Sequence, residues 1–226
     1  MAYDLEEQEQ IANFKAFWNR FGNLILWVLI IALGGYAAYN GANAYARNRS
    51  AAASALYDQL QDSAAAGDNA KVQRIAGDIQ SNYAGFGAGP VNVGATAYPQ
   101  MAALIAAKSA FDANDLKTAK AQLQWAVDHG NDEYKAVARL RLSGVLVDEK
   151  AYDQALSLLN GDFPSQFTAD VANRKGDVLA AQNKLPEARA AYQSALDKMA
   201  KANPGRQLVQ IKLDAIGGAP VAKAAS

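Results

Sequence analysis

The chain has 226 residues, of which 22 are basic and 22 acidic, so it carries no net charge at pH 7. A chain without excess positive charge lacks the electrostatic basis for binding nucleic acid through its phosphates. There is no cysteine and a single histidine, His129, which excludes disulfides and thiolate chemistry and removes most acid–base machinery. Alanine is abundant and runs of Val, Ile and Thr are scarce, which favours helices over strands.

The first element is an uncharged stretch, FGNLILWVLIIALGGYAAYNGANAYA, over residues 21–46. Its apolar part is close to the roughly 20 residues that a membrane-spanning helix needs. Aromatic residues cluster at both ends, and Trp18 and Tyr39 would lie about 31 Å apart in a helix, close to the thickness of a hydrocarbon core. We predict a transmembrane anchor over residues 21–42, which follows a cytoplasmic or interfacial segment over residues 1–20.

A buried core helix and a cleaved signal peptide are the alternatives. The stretch is apolar on all sides, unlike an amphipathic core helix. A signal peptide starts with basic residues and is cleaved near a short apolar core, whereas this chain starts acidic and its small-residue site at 44–46 lies far beyond Leu33. An uncleaved anchor is therefore favoured. The positive-inside rule leaves its orientation open, because Lys15 and Arg20 precede the stretch while Arg47 and Arg49 follow it.

Small residues recur every four positions near the end of this stretch, at Gly34, Ala38 and Ala42. In a membrane, such a face allows a second helix to approach closely. We predict a packing face here; the alternative is an alanine-rich helix end whose spacing arises by chance.

After the anchor, three segments share a helical-hairpin pattern. Ala119, Ala155 and Ala188 are 36 and 33 residues apart, close to the period of about 34 residues in tetratricopeptide repeats. Small residues are expected where paired helices touch, and larger ones between neighbouring repeats. The predicted repeat-packing residues are Ala107, Ala119, Leu123, Ala126, Ser143, Ala155, Leu159, Gly176, Ala188, Tyr192 and Ala195.

The predicted fold is therefore all-α, with one N-terminal transmembrane helix followed by a tetratricopeptide-like solenoid over residues 47–216. The remaining patterns predict a further helix pair over 49–83, a Gly/Pro-rich loop over 84–99, a covering helix over 207–216 with Leu208, Ile211 and Ile216 on one face, and a disordered tail over 217–226.

The sequence contains no HExxH, GxSxG or Walker motif. It therefore predicts a binding protein rather than an enzyme, without metal or cofactor. The first helices of the repeats would line a concave groove for an extended peptide or a partner's tail; the alternative is that they are merely solvated faces. The groove candidates are Met101, Leu104, Lys108, Val137, Leu140, Asp170, Asn173 and Asp177.

Three segments carry a resemblance to a known family: EEQEQIANFKAFWNRFGN before the apolar stretch, KAVARLRL in the repeats and QIKLDAI near the end. In this order they resemble the YfgM-type family, the ancillary subunit of the bacterial SecYEG translocon. The resemblance implies a single-pass protein of the bacterial inner membrane, embedded in the lipid bilayer with its N-terminus cytoplasmic and its repeat domain periplasmic. It also implies association with the SecYEG translocon and with a membrane-anchored periplasmic chaperone of the prolyl-isomerase type.

Two functions follow as hypotheses. The first is an adaptor that tethers a binding groove near the translocon and assists the passage of secreted or membrane proteins. The second is a membrane-anchored scaffold whose repeats face the cytoplasm and hold a regulatory or assembly complex.

Overall fold

The computed structural model describes residues 3–85 and 96–217, with side chains from residue 8 onward. Over these residues the protein forms nine α-helices, a short 3₁₀ turn (Ser165–Phe167) and no strand, which confirms the predicted all-α class. The helices are α1 (Tyr3–Ala65), α2 (Asn69–Tyr83), α3 (Tyr98–Asp112), α4 (Leu116–His129), α5 (Asp132–Asp148), α6 (Tyr152–Leu159), α7 (Thr168–Ala181), α8 (Leu185–Lys198) and α9 (Gly205–Ala215). Most of the predicted loop, residues 86–95, and the predicted tail from residue 218 onward lie outside the described residues.

The chain divides into two units, residues 1–51 and 52–226. The described part of the first unit lies within α1, and most of the large apolar side chains described there are exposed, Ile31 to 70%. Among the described residues, α1 is the one helix long and apolar enough to cross a membrane. A helix that is apolar all round and uncovered by protein suits a lipid environment. The predicted packing face, Gly34, Ala38 and Ala42, is likewise exposed.

The second unit is a stack of helical hairpins. Consecutive helices from α2 to α9 pack against one another, and the first helices of successive hairpins also touch, α3 against α5 and α5 against α7. This nearest-neighbour packing is the arrangement of a repeat solenoid.

Each hairpin turns through one residue of positive φ, and the four turns are alike. These residues are Gly67, Asn114, Lys150 and Asn183, with φ between 59° and 72°. In each turn, the amide of the next residue donates to the carbonyl oxygen five positions earlier, for example Asp115 to Ala110 at 2.8 Å and Lys184 to Leu179 at 2.9 Å. This bond and the left-handed residue form a Schellman motif. The pair formed by the end of α1 and α2 therefore turns as the three clear repeats do.

The core of the stack is built from small side chains. All eleven predicted repeat-packing residues are buried. At the closest approach, a Cβ added to Gly176 of α7 would lie 2.5 Å from two ring atoms of Tyr192 in α8. Only glycine therefore fits at this contact without a shift of the ring.

The last helix covers the end of the stack with a face that differs from the predicted one. Val209, Leu213 and Ile216 pack against α8, whereas Leu208 and Ile211 are 57% and 56% exposed. The prediction was wrong for these two residues because QLVQIKLDAI contains two overlapping apolar stripes at helical spacing. Side-chain bonds secure the observed face, including one of 2.8 Å from Arg189 Nε to the carbonyl oxygen of Ile216.

Candidate partner groove

A first cavity of about 780 Å³ opens among the end of α1, α3 and α5. Its volume lies within the range of pockets that bind small molecules. The wall combines aromatic and aliphatic side chains with a few polar ones. Its principal lining residues are Tyr57, Gln61, Met101, Leu104, Ile105, Lys108, Ser109, Tyr134 and Arg141.

A second cavity of about 410 Å³ lies among α3, α5 and α7. Its apolar lining includes Phe111, which is 44% exposed. Lys108 and Arg141 line both cavities, so they stand where the two adjoin. We call the two cavities together the groove. The other lining residues of the second cavity are Ala107, Leu123, Gly144, Val145, Val147, Asp148, Arg174 and Asp177.

The structure brings four of the eight predicted groove residues to these cavities. Met101, Leu104 and Lys108 line the first, and Asp177 lines the second. The other four lie elsewhere: Val137 and Leu140 pack against the central hydrophobic cluster, Asp170 is exposed outside both cavities, and Asn173 accepts a bond from Lys212.

Helix α5 presents a different face to the groove from the predicted one. Tyr134, Arg141 and Asp148 line it, seven residues apart. Residues at this spacing lie on one side of a helix, and that spacing is the signal that could have found them. Tyr57 and Gln61 were missed because residues 49–83 do not show the repeat signature, although they form an equivalent hairpin.

The charged groups of the groove differ in how they are paired. Lys108 forms an ion pair with Asp112 one turn later in α3, and Arg174 lies 3.4 Å from Asp177 in α7. Within residues 8–85 and 96–217, Arg141 makes no hydrogen bond or ion pair. Asp148 likewise has no such partner in this part of the chain. One cation and one anion of the groove are thus left for a ligand.

The C-terminal end of the groove is occupied by a polar network. Asp177 accepts bonds from the Tyr192 hydroxyl at 2.9 Å and from Lys212 Nζ of α9 at 2.7 Å. Lys212 also donates to Asn173 at 3.2 Å. Burial and, secondarily, the Asp177 charge raise the pKa of Tyr192, so its hydroxyl remains a donor. The Asp177 carboxylate is thereby committed to holding α7, α8 and α9 together.

Comparison with known proteins agrees with this architecture. A family model described as a tetratricopeptide repeat-like domain matches residues 15–218. The ancillary SecYEG translocon subunit of Neisseria gonorrhoeae is 34% identical over 96% of this chain and 100% of its own length. That of Haemophilus influenzae is 31% identical over 89% of this chain and 97% of its own, and that of Escherichia coli is 26% identical over 83% and 86%. The chain therefore belongs to the tetratricopeptide repeat-like family of ancillary SecYEG translocon subunits, as its sequence resemblance indicated.

Proposed function

We propose that this protein is a non-catalytic adaptor of the bacterial inner membrane. It associates with the SecYEG translocon and with a membrane-anchored periplasmic chaperone of the prolyl-isomerase type, and it assists the passage of secreted or membrane proteins. The observation that carries the proposal is the open groove, found in a chain whose relatives are named translocon subunits.

The lining of the groove supports binding of a protein segment. Tyr57, Met101, Tyr134 and Arg141 belong to the residue types that are enriched at protein interfaces. Aromatic rings provide large contact areas at little entropic cost, and arginine adds a directional charged donor. The groove therefore has the composition expected of a recognition surface.

In the proposed topology, residues 21–42 span the membrane, residues 1–20 face the cytoplasm and residues 47–216 lie in the periplasm. The role of the anchor is tethering. It confines the groove to the membrane that also holds the translocon and thereby raises its effective concentration there. A weak contact with an emerging chain then suffices for transfer to a chaperone.

Site-specific crosslinking in intact cells tests the partners. A photo-crosslinking residue replaces Met101 or Tyr134 in the groove, or Ala121, an exposed residue of α4 outside it, as the matched control. We expect translocon or chaperone adducts from the two groove positions and far fewer from Ala121. Equal adduct patterns from all three positions would refute the groove as the partner site.

The absence of cysteine allows a clean test of topology. Single variants Gln10→Cys and Ala121→Cys are treated in spheroplasts with a membrane-impermeant maleimide. We expect immediate labelling at Ala121→Cys, and labelling at Gln10→Cys only after the inner membrane is broken. The reverse pattern would support the other hypothesis, a scaffold whose repeats face the cytoplasm.

The small-residue face of the anchor is a proposed lateral contact with another membrane helix. A Cβ at Gly34 would meet nothing within 4 Å in the protein, so Gly34→Leu should leave the fold unchanged while blocking close helix approach. We expect weaker association with the translocon on native gels. Ala32→Leu is the matched control because two residues turn the helix by about 200°. Equal complex levels in both variants would remove this face from the proposal.

A further inference from the structure

We propose that the groove receives an extended partner segment in which one acidic side chain lies between two apolar ones. Arg141 pairs with the acidic side chain, and the two cavities take the apolar ones. This inference rests on the proposed function and names the chemical class of segment that the groove selects.

Arg141 lies where the two cavities adjoin. It lines both cavities, so a partner group bound to it has an apolar recess on either side. Met101, Leu104 and Ile105 contribute to the first recess, and Phe111, Val145 and Val147 contribute to the second. A segment that crosses Arg141 would therefore place apolar side chains before and after the residue that contacts the guanidinium.

Arg141 differs from the other cations of the groove in its pairing. Of the cations lining the groove, Lys108 and Arg174 have carboxylate partners within their own helices. In the described part of the chain, Arg141 has neither a hydrogen bond nor an ion pair. A guanidinium presents a planar set of donors that matches a carboxylate with two parallel bonds. Charge complementarity thus selects an acidic side chain at this point.

Asp148 limits the selection to a single acidic residue. It lies seven residues after Arg141 on the same face of α5, about 10 Å further along the helix. Unlike Arg141, it lines only the second cavity. In the part of the chain that the structure describes, no cation pairs with it. A second carboxylate in that cavity would be repelled, so a run of acidic residues should bind less well than one acidic residue flanked by apolar ones.

The backbone of an extended segment sets the spacing. Its side chains alternate between two faces, so residues that point into the groove are two apart. The expected pattern is apolar, any residue, acidic, any residue, apolar. The probe is the fluorescent peptide Gly-Ser-Leu-Ser-Glu-Ser-Leu-Ser-Gly, with versions that carry Gln or Lys in place of Glu, or Ser in place of both Leu residues.

Binding of these peptides is measured by fluorescence anisotropy with the full chain in lipid nanodiscs. We expect the Glu peptide to bind about fivefold more tightly than the Gln peptide, as for a solvent-accessible charge pair worth about 1 kcal/mol. The difference in affinity between the Glu and Gln peptides should become smaller at high salt, because salt screens the charge pair. The peptide without Leu should bind more weakly than the Glu peptide.

A charge reversal identifies the residue responsible. Arg141→Glu should abolish the preference for Glu and create one for Lys, while Arg74→Glu, an exposed change in α2 outside the groove, should leave the preference unchanged. Thermal melts of both variants serve as the control that each is folded. An unchanged preference in Arg141→Glu would overturn the inference.

The outcomes separate this inference from the proposed function. Equal binding of the Glu, Gln and Lys peptides overturns the charge selection. Absence of peptide binding overturns the inference as well, but the adaptor function stands if Met101 and Tyr134 still crosslink to translocon or chaperone. Loss of both signals removes the groove as a functional site.

Discussion

The two ends of the groove differ in how far their polar side chains are already bonded within the protein. At the N-terminal end, Tyr57, Met101 and Tyr134 surround an open cavity. At the C-terminal end, Asp177 is bonded to Tyr192 and to Lys212 of the covering helix. The repeat pattern therefore builds the groove but does not leave all of it available to a partner. A part of the groove is free for a partner only where neighbouring helices do not already bond its polar side chains.

Helix capping differs between the ends as well. Asp68 and Asp115 each precede the second helix of a hairpin and accept a bond of 3.0 Å from a backbone amide. Ala151 and Lys184 occupy the corresponding positions of the next two hairpins and provide no side-chain cap. The last hairpin instead has the Asp177 network, which joins α7 and α8 to α9.

The largest effect is expected from Gly176→Ala. The added methyl group would lie 2.5 Å from the Tyr192 ring, which is 3% exposed and held by its bond to Asp177. Overpacking costs about 1–3 kcal/mol, and the upper end applies here because the buried, bonded ring has little room to shift. The higher helix propensity of alanine offsets about 1 kcal/mol of that cost. We expect a net loss of about 2 kcal/mol in the free energy of unfolding, measured with urea on the detergent-solubilised full chain.

Gly77→Ala is the matched control for this variant. It is also a glycine within a helix, but its added methyl group meets nothing within 4 Å. We expect a gain of up to about 1 kcal/mol from helix propensity alone. If the two alanine variants changed stability alike, the close contact between α7 and α8 would not be the reason that glycine is needed.

The next largest effect is expected when the carboxylate charge at the C-terminal end of the groove is removed. Asp177→Asn weakens the bonds from Lys212 and Tyr192, and a hydrogen bond to a charged group contributes about 1.5 kcal/mol or more. We expect a loss of about 1.5 kcal/mol in stability and faster amide exchange in α9, measured by mass spectrometry. Asp197→Asn, which changes an exposed carboxylate of α8, should leave α9 exchange unchanged. Equal exchange in both variants would show that the network does not hold the covering helix.

Much of the fold could be predicted from the sequence because it depends on spacing. The apolar stretch and the recurrence of Ala119, Ala155 and Ala188 correspond to a lipid-compatible helix and to hairpin contacts, and the structure has these features. The first hairpin lacks the repeat signature, although it turns at Gly67 as the other hairpins turn at Asn114, Lys150 and Asn183. The positive φ of Gly67 and the bond from the Asp68 amide to the Ser63 carbonyl oxygen make its turn equivalent to those of the other hairpins.

The groove was harder to predict because the rotation of each helix about its own axis has to be known to within one residue. On α5, Leu140 packs against the core while Arg141 lines both cavities. Adjacent positions differ by about 100° around a helix. An error of one residue in the repeat alignment therefore exchanges the buried face for the face that lines the groove. Bonds such as that between Lys212 and Asp177 join distant parts of the sequence and leave no periodic signal.

A smaller effect is expected when α8 of the last hairpin is given the side-chain N-cap that it lacks. Lys184 has φ −86° and ψ 68°, close to the −92° and 76° of Asp115 at the equivalent position. Lys184→Asp should therefore accept a bond from the amide of Glu187 and stabilise the protein by about 1 kcal/mol. Lys184→Glu makes the same charge change with a side chain poorly suited to capping. Equal stabilisation by both would assign the gain to charge rather than to the cap.

The smallest effect is the acid dependence of the cap that is already present. Bonds from the Thr118 side chain and backbone, with help from Lys117, hold the pKa of Asp115 below its usual value of 3.8. The folded state thus binds this proton less readily than the unfolded state, so the contribution of Asp115 is complete above about pH 4 and is lost as the pH falls through the lower folded value. Asp115→Asn keeps a capping oxygen but does not titrate. The free energy of unfolding of Asp115→Asn should therefore fall less steeply below pH 4 than that of the parent. Asp58→Asn, an exposed change in α1, should keep the parental slope. Parallel acid profiles for Asp115→Asn and the parent would show that this cap does not contribute to acid sensitivity.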